Sequence, residues 1–462
     1  MKVKLAGYNI DSELIERMGG VEESLTPEVL SASYARISRD PREISVLRKE
    51  ARDHVEKARK SNETIVFGLG HSSIAEHAVF NFDIMDISRL AVEALESFRL
   101  AAYTEKSQRY IKIGQDFVIP SEIKGEGLEN EFRDLMDYLA VQYKKVFRKI
   151  RENGGSDSVA KEDARYLLPL ATEAQLGMTV NARELEYMVS RLASHPLEEL
   201  NRFAEILTRK SGVIAPSLIK YPEPADYFRN RFKSFESMAE LTESETELED
   251  EVTVVSAPDN CDELVTAAIL FASGEAGIAE ASEKASKMND QQRGGIIRMT
   301  LKDIGPHNSV WREFEFASFI FQVNVSASCF AQLKRHRMAT LSSQRYLPGA
   351  GLIVPVSAEG CEDIFKEASE RSYLMYRRIE EKAGRDAAEY ALLNANRRRV
   401  LLGMNLRELY HFSRLRSDSH AQWEIRELSE KICSMVREEA PLSSILLGGK
   451  DSFEALSERL DR

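Results

Sequence analysis

Residues 343–346 read Ser343-Gln344-Arg345-Tyr346, and residues 107–110 read Ser107-Gln108-Arg109-Tyr110, the same four 236 positions earlier. His71-Ser72-Ser73 and His307-Asn308-Ser309 stand the same 236 apart. Further along, Asn181-Ala182-Arg183-Glu184-Leu185 is answered by Asn405-Leu406-Arg407-Glu408-Leu409 at an offset of 224, and Ser190-Arg191-Leu192 by Ser413-Arg414-Leu415 at 223. One shared tetrapeptide means little. Collinear matches at a shrinking offset mean duplication, with loop residues lost from the second copy. Each copy opens on a strand-like run, Val3-Lys4-Leu5 and Val252-Thr253-Val254-Val255. Each also has an aromatic stretch of near-alternation, 80–84 and 319–323, which predicts a further strand. Helical spacing of apolar residues covers 129–153, 197–209 and 363–382. The expectation is α+β, each copy a small, mainly antiparallel sheet packed with helices. The first unit spans 1–230, an acidic connector 231–250, and the second unit 251–462.

At 462 residues, 43% hydrophobic and 30% charged, the chain has a globular composition, long enough for about two to four domains. Its most apolar stretch, 314–325, is broken by Glu, Ser, Gln and Asn, too short for the roughly 20 residues of a membrane helix. The N-terminus has no long apolar run before its first acidic residue, so no secretory signal is expected. Cys261, Cys329, Cys361 and Cys433 are far apart without metal-site spacing, which points to reduced thiols and a cytoplasmic protein. A net charge of −12 argues against a nucleic-acid coat. It leaves room for a small anion held by local arginines, and two clusters stand out: Arg335-His336-Arg337 with Arg345, and Arg397-Arg398-Arg399. Taken singly, either cluster also fits a solvated helix face.

Gln332 precedes the first cluster by three residues. Guanidinium groups bind phosphate and carbonyl edges through a planar fork, so two or three converging arginines suit a nucleotide monophosphate. Residues 405–426 then crowd Asn405, Arg407, His411, Arg416, His420, Gln422, Glu424 and Arg426 beside Leu409, Phe412 and Trp423. On one continuous helix Asn405, Arg416 and His420 would fall within about 60° of one another, forming a polar pocket wall. In the first copy, His71, Glu76 and His77 are metal-ligand types, but the histidines are six apart and on different helical faces, so no metal is expected. No GxSxG, GxGxxG or P-loop pattern is present, and no cysteine has a local histidine.

The order GHxSxxEH, FxF, RHR, SxRY, ARxxLP and NxRxLxHFxxxRxxxxAQxE resembles the flavin-dependent thymidylate synthases, here as two diverged units in tandem over essentially the whole chain. The first copy keeps Gly70-His71 through Glu76-His77, Glu105 with Ser107-Gln108-Arg109-Tyr110, and Arg165 in 164–169. It has Ser97-Phe98-Arg99 in place of RHR, Ala94 for the upstream Gln, Tyr187 for His, and Leu192 or Ala193 for the late arginine. The second copy keeps Gln332, Arg335-His336-Arg337, Asn405, Arg407, His411, Arg416 and His420. It has Arg312-Glu313 in place of Glu-His, and lacks two residues between RHR and SxRY. Arg399 is the nearest stand-in for the ARxxLP arginine.

The resemblance implies the repeated synthase fold and active sites completed between subunits of a tetramer. For the nucleotide dUMP it implies Glu105, Ser107, Gln108, Arg109 and Arg165 from the first copy, with Gln332, Arg335 and Arg416 from the second. Arg335 and Arg416 become the catalytic arginines. For FAD it implies Ser33, His71, Ser73 and Glu76 with Arg335, His336, Arg337, Asn405, Arg407, His411 and His420. NADPH and methylenetetrahydrofolate would be co-substrates, and two chains would supply the four units as a homodimer. The losses are complementary rather than scattered, which predicts one composite site per pair of copies. Two other readings stay open. One is a flavin enzyme with altered chemistry on uracil nucleotides, such as hydroxymethylation, which the shortened segment would suit. The other is a non-catalytic flavin- or nucleotide-binding paralogue, for which random decay is expected.

Overall fold

The structure is a computed structural model and describes residues 1–10, 26–37, 40–109, 116–239, 241 and 251–460. Tyr110 and half of the acidic connector, 240 and 242–250, lie outside the described residues. Along the first part of the chain run β1 (Lys2–Tyr8), α1 (Glu28–Arg36), β2 (Val79–Ser88), α2 (Arg89–Leu95), β3 (Ala101–Glu105) and α3 (Glu129–Glu152). There follow β4 (Glu173–Asn181), α4 (Ala182–Ala193), α5 (Glu198–Gly212) and α6 (Asp226–Ala239). The remainder holds β5 (Val252–Ser256), α7 (Cys261–Ser273), β6 (Ser318–Ser326), α8 (Ala327–Leu333), β7 (Thr340–Ser343), α9 (Glu362–Ala383), β8 (Arg397–Asn405), α10 (Leu406–Arg416) and α11 (Trp423–Glu439), with shorter segments between.

Two four-stranded antiparallel sheets form, ordered β1-β2-β4-β3 and β5-β6-β8-β7. The aromatic stretches are their second strands. Phe80, Phe82 and Ile84 are buried while Asn81 and Asp83 face out, and Phe319, Phe321 and Val323 repeat the pattern. Register follows suit: Phe82 lies opposite Met178, and Phe321 opposite Leu402. The strand ends are built alike. Ser88 and Ser326 end β2 and β6, and each hydroxyl caps the next helix by accepting from Ala91 N and Cys329 N, both at 3.0 Å. Each serine donates in turn to a glutamate, Ser88 Oγ to Glu199 at 2.6 Å and Ser326 Oγ to Glu424 at 2.5 Å. Asn181 and Asn405 end β4 and β8 and cap α4 and α10, accepting from Glu184 N and Glu408 N, both at 2.9 Å.

In space the described chain forms two compact units, Met1–Glu245 with Val356–Leu393, and Thr246–Pro355 with Asn394–Arg462. The contiguous repeat and the spatial units therefore differ over Val356–Leu393. Within the first unit, α9 packs on α3, its equivalent in the other copy. Leu170 N donates to Leu392 O at 2.7 Å, and Tyr390 Oη donates to Glu199 at 2.7 Å. The second unit buries its own core of Phe314, Phe319, Phe321, Leu402, Leu409, Phe412, Ile425 and Ile432.

Two local expectations are corrected. Arg397-Arg398-Arg399 is on strand β8, not on a helix face. Arg398 is buried there with its guanidinium 4.6 Å from the Phe330 ring centre and 4.1 Å from that of Tyr346, donating to Gln344 O, so cation–π contact offsets its burial. The helix after Asn405 is not continuous either. It stops at Arg416, and a new helix begins at Trp423, capped by the Gln422 side chain. Ser417, Asp418 and Ser419 in the gap compete for backbone hydrogen bonds, with Asp418 accepting from His420 N at 3.0 Å.

Candidate active site

The polar end of β3 places Glu105 against Arg89, the first residue of α2. Arg89 Nη1 donates to both carboxylate oxygens at 2.8 Å, and both side chains are almost wholly buried. Arg109 Nε donates to Glu162, and Arg109 N donates to Ser107 Oγ at 3.1 Å. Gln108 is half-buried in the same turn. Arg165 is buried on the 3-10 turn Arg165–Leu167. Burial, with smaller contributions from Arg109 and Arg89, lowers its pKa, while Tyr166 and Glu162 oppose the shift. The first unit thus brings Glu105, Ser107, Arg109 and Arg165 together at one end of its sheet.

The other first-copy residues are elsewhere. His71 and Ser73 are exposed on or beside the 3-10 turn Ser72–His77, whose Glu76 accepts from Arg183 Nη1 at 2.5 Å. Arg183 follows Asn181, the far end of β4, while Glu105 pairs with Leu176. The two groups are therefore separated by roughly 17 Å of strand. Ser33 is fully buried on α1, its hydroxyl donating to Leu30 O at 2.8 Å.

In the second unit the residues converge on His336, 3% exposed. Its Nδ1 is 3.1 Å from Glu408 Oε1, and Arg416 Nε donates to its Nε2 at 2.9 Å. Arg416 Nη2 donates to Gln332 O at 3.2 Å, and Gln332 Nε2 donates to Gln422 Oε1 at 3.3 Å. The ring lies edge-on to Phe412 at 4.9 Å and His411 at 5.7 Å. Arg335 and Arg337 flank it, both exposed, as is His411. Arg407 is engaged with Val310 O at 2.9 Å and Glu315 at 2.7 Å, and Asn405 serves as a helix cap. His420 lies outside the cluster, exposed and bonded to Asp418 at 2.8 Å.

Burial, with Arg416 and His411 adding to it, holds the His336 pKa well below 6.5. The sign of the pH dependence follows. The unfolded chain takes up a proton below about pH 6.5 that the folded chain refuses, so stability is complete above that pH and lost as pH falls further. Urea unfolding of the second unit at pH 7.5 and 5 is expected to show a larger acid loss in the wild type than in His336→Gln.

The same places in the first unit hold no such cluster. Phe98 stands for His336, Tyr187 for His411 and Leu192 for Arg416. The Phe98 and Tyr187 rings meet edge-on at 5.7 Å, and Phe228 of α6 lies 5.7 Å from Tyr187. Conversely, the second copy's counterpart of the Arg165 turn is Glu389–Ala391, with Tyr390 in the place of Tyr166. Glu389, not Arg399, therefore occupies the ARxxLP position, and Arg399 lies on β8. Sequence reasoning missed Arg89, Glu162 and Glu408. A signal existed for Glu408 alone, because the repeat preserves it as Glu184.

Residues 21–217 and 253–442 each match the profile of the thymidylate synthase complementing protein family. The chain belongs to that family. A UPF0159 protein of Thermoplasma acidophilum is 23% identical over 465 residues, covering 89% of this chain and 92% of the relative, so the match spans both copies. A flavin-dependent thymidylate synthase of Clostridium tetani is 29% identical over 44% of this chain and 86% of its own length. One of Sulfolobus acidocaldarius is 30% identical over 48% of this chain and 77% of its own. Family members of about one copy's length thus align with half of this chain. All four cysteines are buried and free, and no described helix is long and apolar enough to cross a membrane.

Proposed function

We propose that the protein is a flavin-dependent thymidylate synthase that converts dUMP to dTMP with methylenetetrahydrofolate and NADPH, at a site completed by residues of both copies. The observation that carries this reading is the complementary retention: Glu105, Ser107, Arg109 and Arg165 in one copy, and Gln332, Arg335, His336 and Arg416 in the other. The second copy repeats the serine and arginine as Ser343 and Arg345 but has Leu341 for Glu105 and Glu389 for Arg165, while the first has Ala94, Ser97, Phe98 and Leu192 for Gln332, Arg335, His336 and Arg416. A homodimer of four units in a reducing, cytoplasmic setting is part of the same proposal.

The donor set suits FAD. Arg335 and Arg337 are exposed guanidiniums flanking a buried neutral imidazole, a fit for a phosphate-bearing cofactor, and His71, Ser73 and Glu76 add polar groups from the first copy. Bound FAD would supply the redox chemistry of the methyl transfer. The chain's own residues bind and orient. Arg109 and Arg165 would neutralise the phosphate, while Arg335 and Arg416 would polarise the uracil carbonyls and stabilise charge as it develops there. No protein nucleophile is required of them.

Tritium release from C5-labelled dUMP, with methylenetetrahydrofolate and NADPH, is the test. Release that disappears in both Arg335→Ala and Arg109→Ala is the expected outcome. Flavin bound without release would move the reading to altered chemistry on a uracil nucleotide, which the two residues missing between RHR and SxRY favour. A chain that takes up no flavin would leave a non-catalytic paralogue.

A further inference from the structure

We propose that Glu408 is a positioning residue of the second-copy cluster: it keeps the His336 proton on Nδ1, so that Nε2 retains the lone pair that receives Arg416 and aims its guanidinium. The inference rests on the reading of Arg416 as a nucleotide ligand.

The argument begins with arginine, which has five N–H donors and no acceptor. A contact of 2.9 Å from Arg416 Nε to His336 Nε2 therefore requires a bare Nε2. A neutral imidazole with Nε2 bare carries its proton on Nδ1, and Glu408 Oε1 stands 3.1 Å away to accept it. The pair is buried, with side-chain exposures of 2% and 6%, and Phe412 and His411 pack edge-on to the ring, so it cannot turn without opening the core. With Nη2 also anchored on Gln332 O, the guanidinium plane is set at two points. Burial raises the Glu408 pKa, which His411 and Arg407 oppose, and lowers that of His336, to which Arg416 and His411 add; these three charged or titratable groups are all on α10.

The first copy is an internal control. Glutamate at the third position of a helix suits the N-terminus in any case. Glu184 keeps that position, but with Phe98 and Leu192 as its neighbours' counterparts it accepts a long bond from Leu100 N at 3.4 Å; burial pushes its pKa up as it does that of Glu408, so the difference lies in the partners. The glutamate–histidine–arginine chain exists in the copy that keeps the histidine and the arginine.

Full-length protein labelled with [15N]histidine would show which His336 nitrogen bears the proton, with the His336→Gln spectrum as assignment. The wild type is expected to show Nδ1–H, and Glu408→Leu to gain Nε2–H. In equilibrium binding of dUMP, Glu408→Leu is expected to weaken affinity about tenfold. Glu408→Gln, which keeps an acceptor oxygen, should recover most of it. In an Arg416→Ala background, Glu408→Leu should change affinity less than about twofold, because the effect runs through Arg416. An Nε2–H signal in the wild type, or an undiminished loss without Arg416, overturns the proposal. If the leucine variant does not fold, the wild-type tautomer and the glutamine variant still decide it. An Nδ1–H signal without any dUMP binding by the wild type overturns the functional reading and leaves the histidine geometry standing.

Discussion

Arg416→Ala is expected to lower kcat/KM for dUMP by about 100- to 1,000-fold, the usual loss when a preorganised donor to a developing charge is removed. The side chain is fixed before ligand arrives: Nε is held by His336 and Nη2 by Gln332 O, so little reorganisation is needed at the moment of reaction. Arg165→Ala, in the other copy, is expected to lose a comparable factor, because its guanidinium is buried beside Arg109 and Glu162. The pair discriminates between architectures. If both arginines serve one site, either substitution removes nearly all turnover, and the double variant falls short of the product of the single losses. If each copy has its own site, either substitution leaves about half the activity. Flavin content and thermal midpoint, measured alongside, would separate a lost contact from a lost fold.

Phe321→Ala is expected to cost about 3–5 kcal/mol, read as a fall in the urea midpoint of the second unit. Phe321 is fully buried on β6, between Val254 of β5 and Leu402 of β8, with its ring stacked on Phe319 at 6.2 Å. Truncation removes the ring from the centre of the sheet, where neighbours on both sides are held by ladder hydrogen bonds and cannot close the cavity. Ile320, next on the strand but facing outward, is the control, and its change to Ala is expected to cost on the order of 1 kcal/mol or less. A loss of similar size at both positions would contradict the assignment of the buried face.

The strands beginning each copy and the aromatic strands were legible because alternation is a local, two-residue signal, and the long helices because theirs is a four-residue one. Strand β8 was not. Three consecutive arginines hide its period, and only the rings of Phe330 and Tyr346 show why one of them goes inside. The break after Arg416 was missed because the polar residues that end a helix there also looked like a pocket wall. Among the site residues, those in short motifs could be named from the chain alone. Their partners could not: Glu408 meets His336 across 72 positions, and Arg416 reaches the same ring across 80.

Duplication, family and the division of retained residues between copies are thus properties of the sequence itself, since each is a comparison of one stretch with another. The structure alone decided that Val356–Leu393 joins the first unit, that Glu389 stands where an arginine stands in the other copy, and that Glu408 meets the His336 ring. These depend on which surfaces bury together, and burial joins residues whose distance along the chain carries no periodic trace.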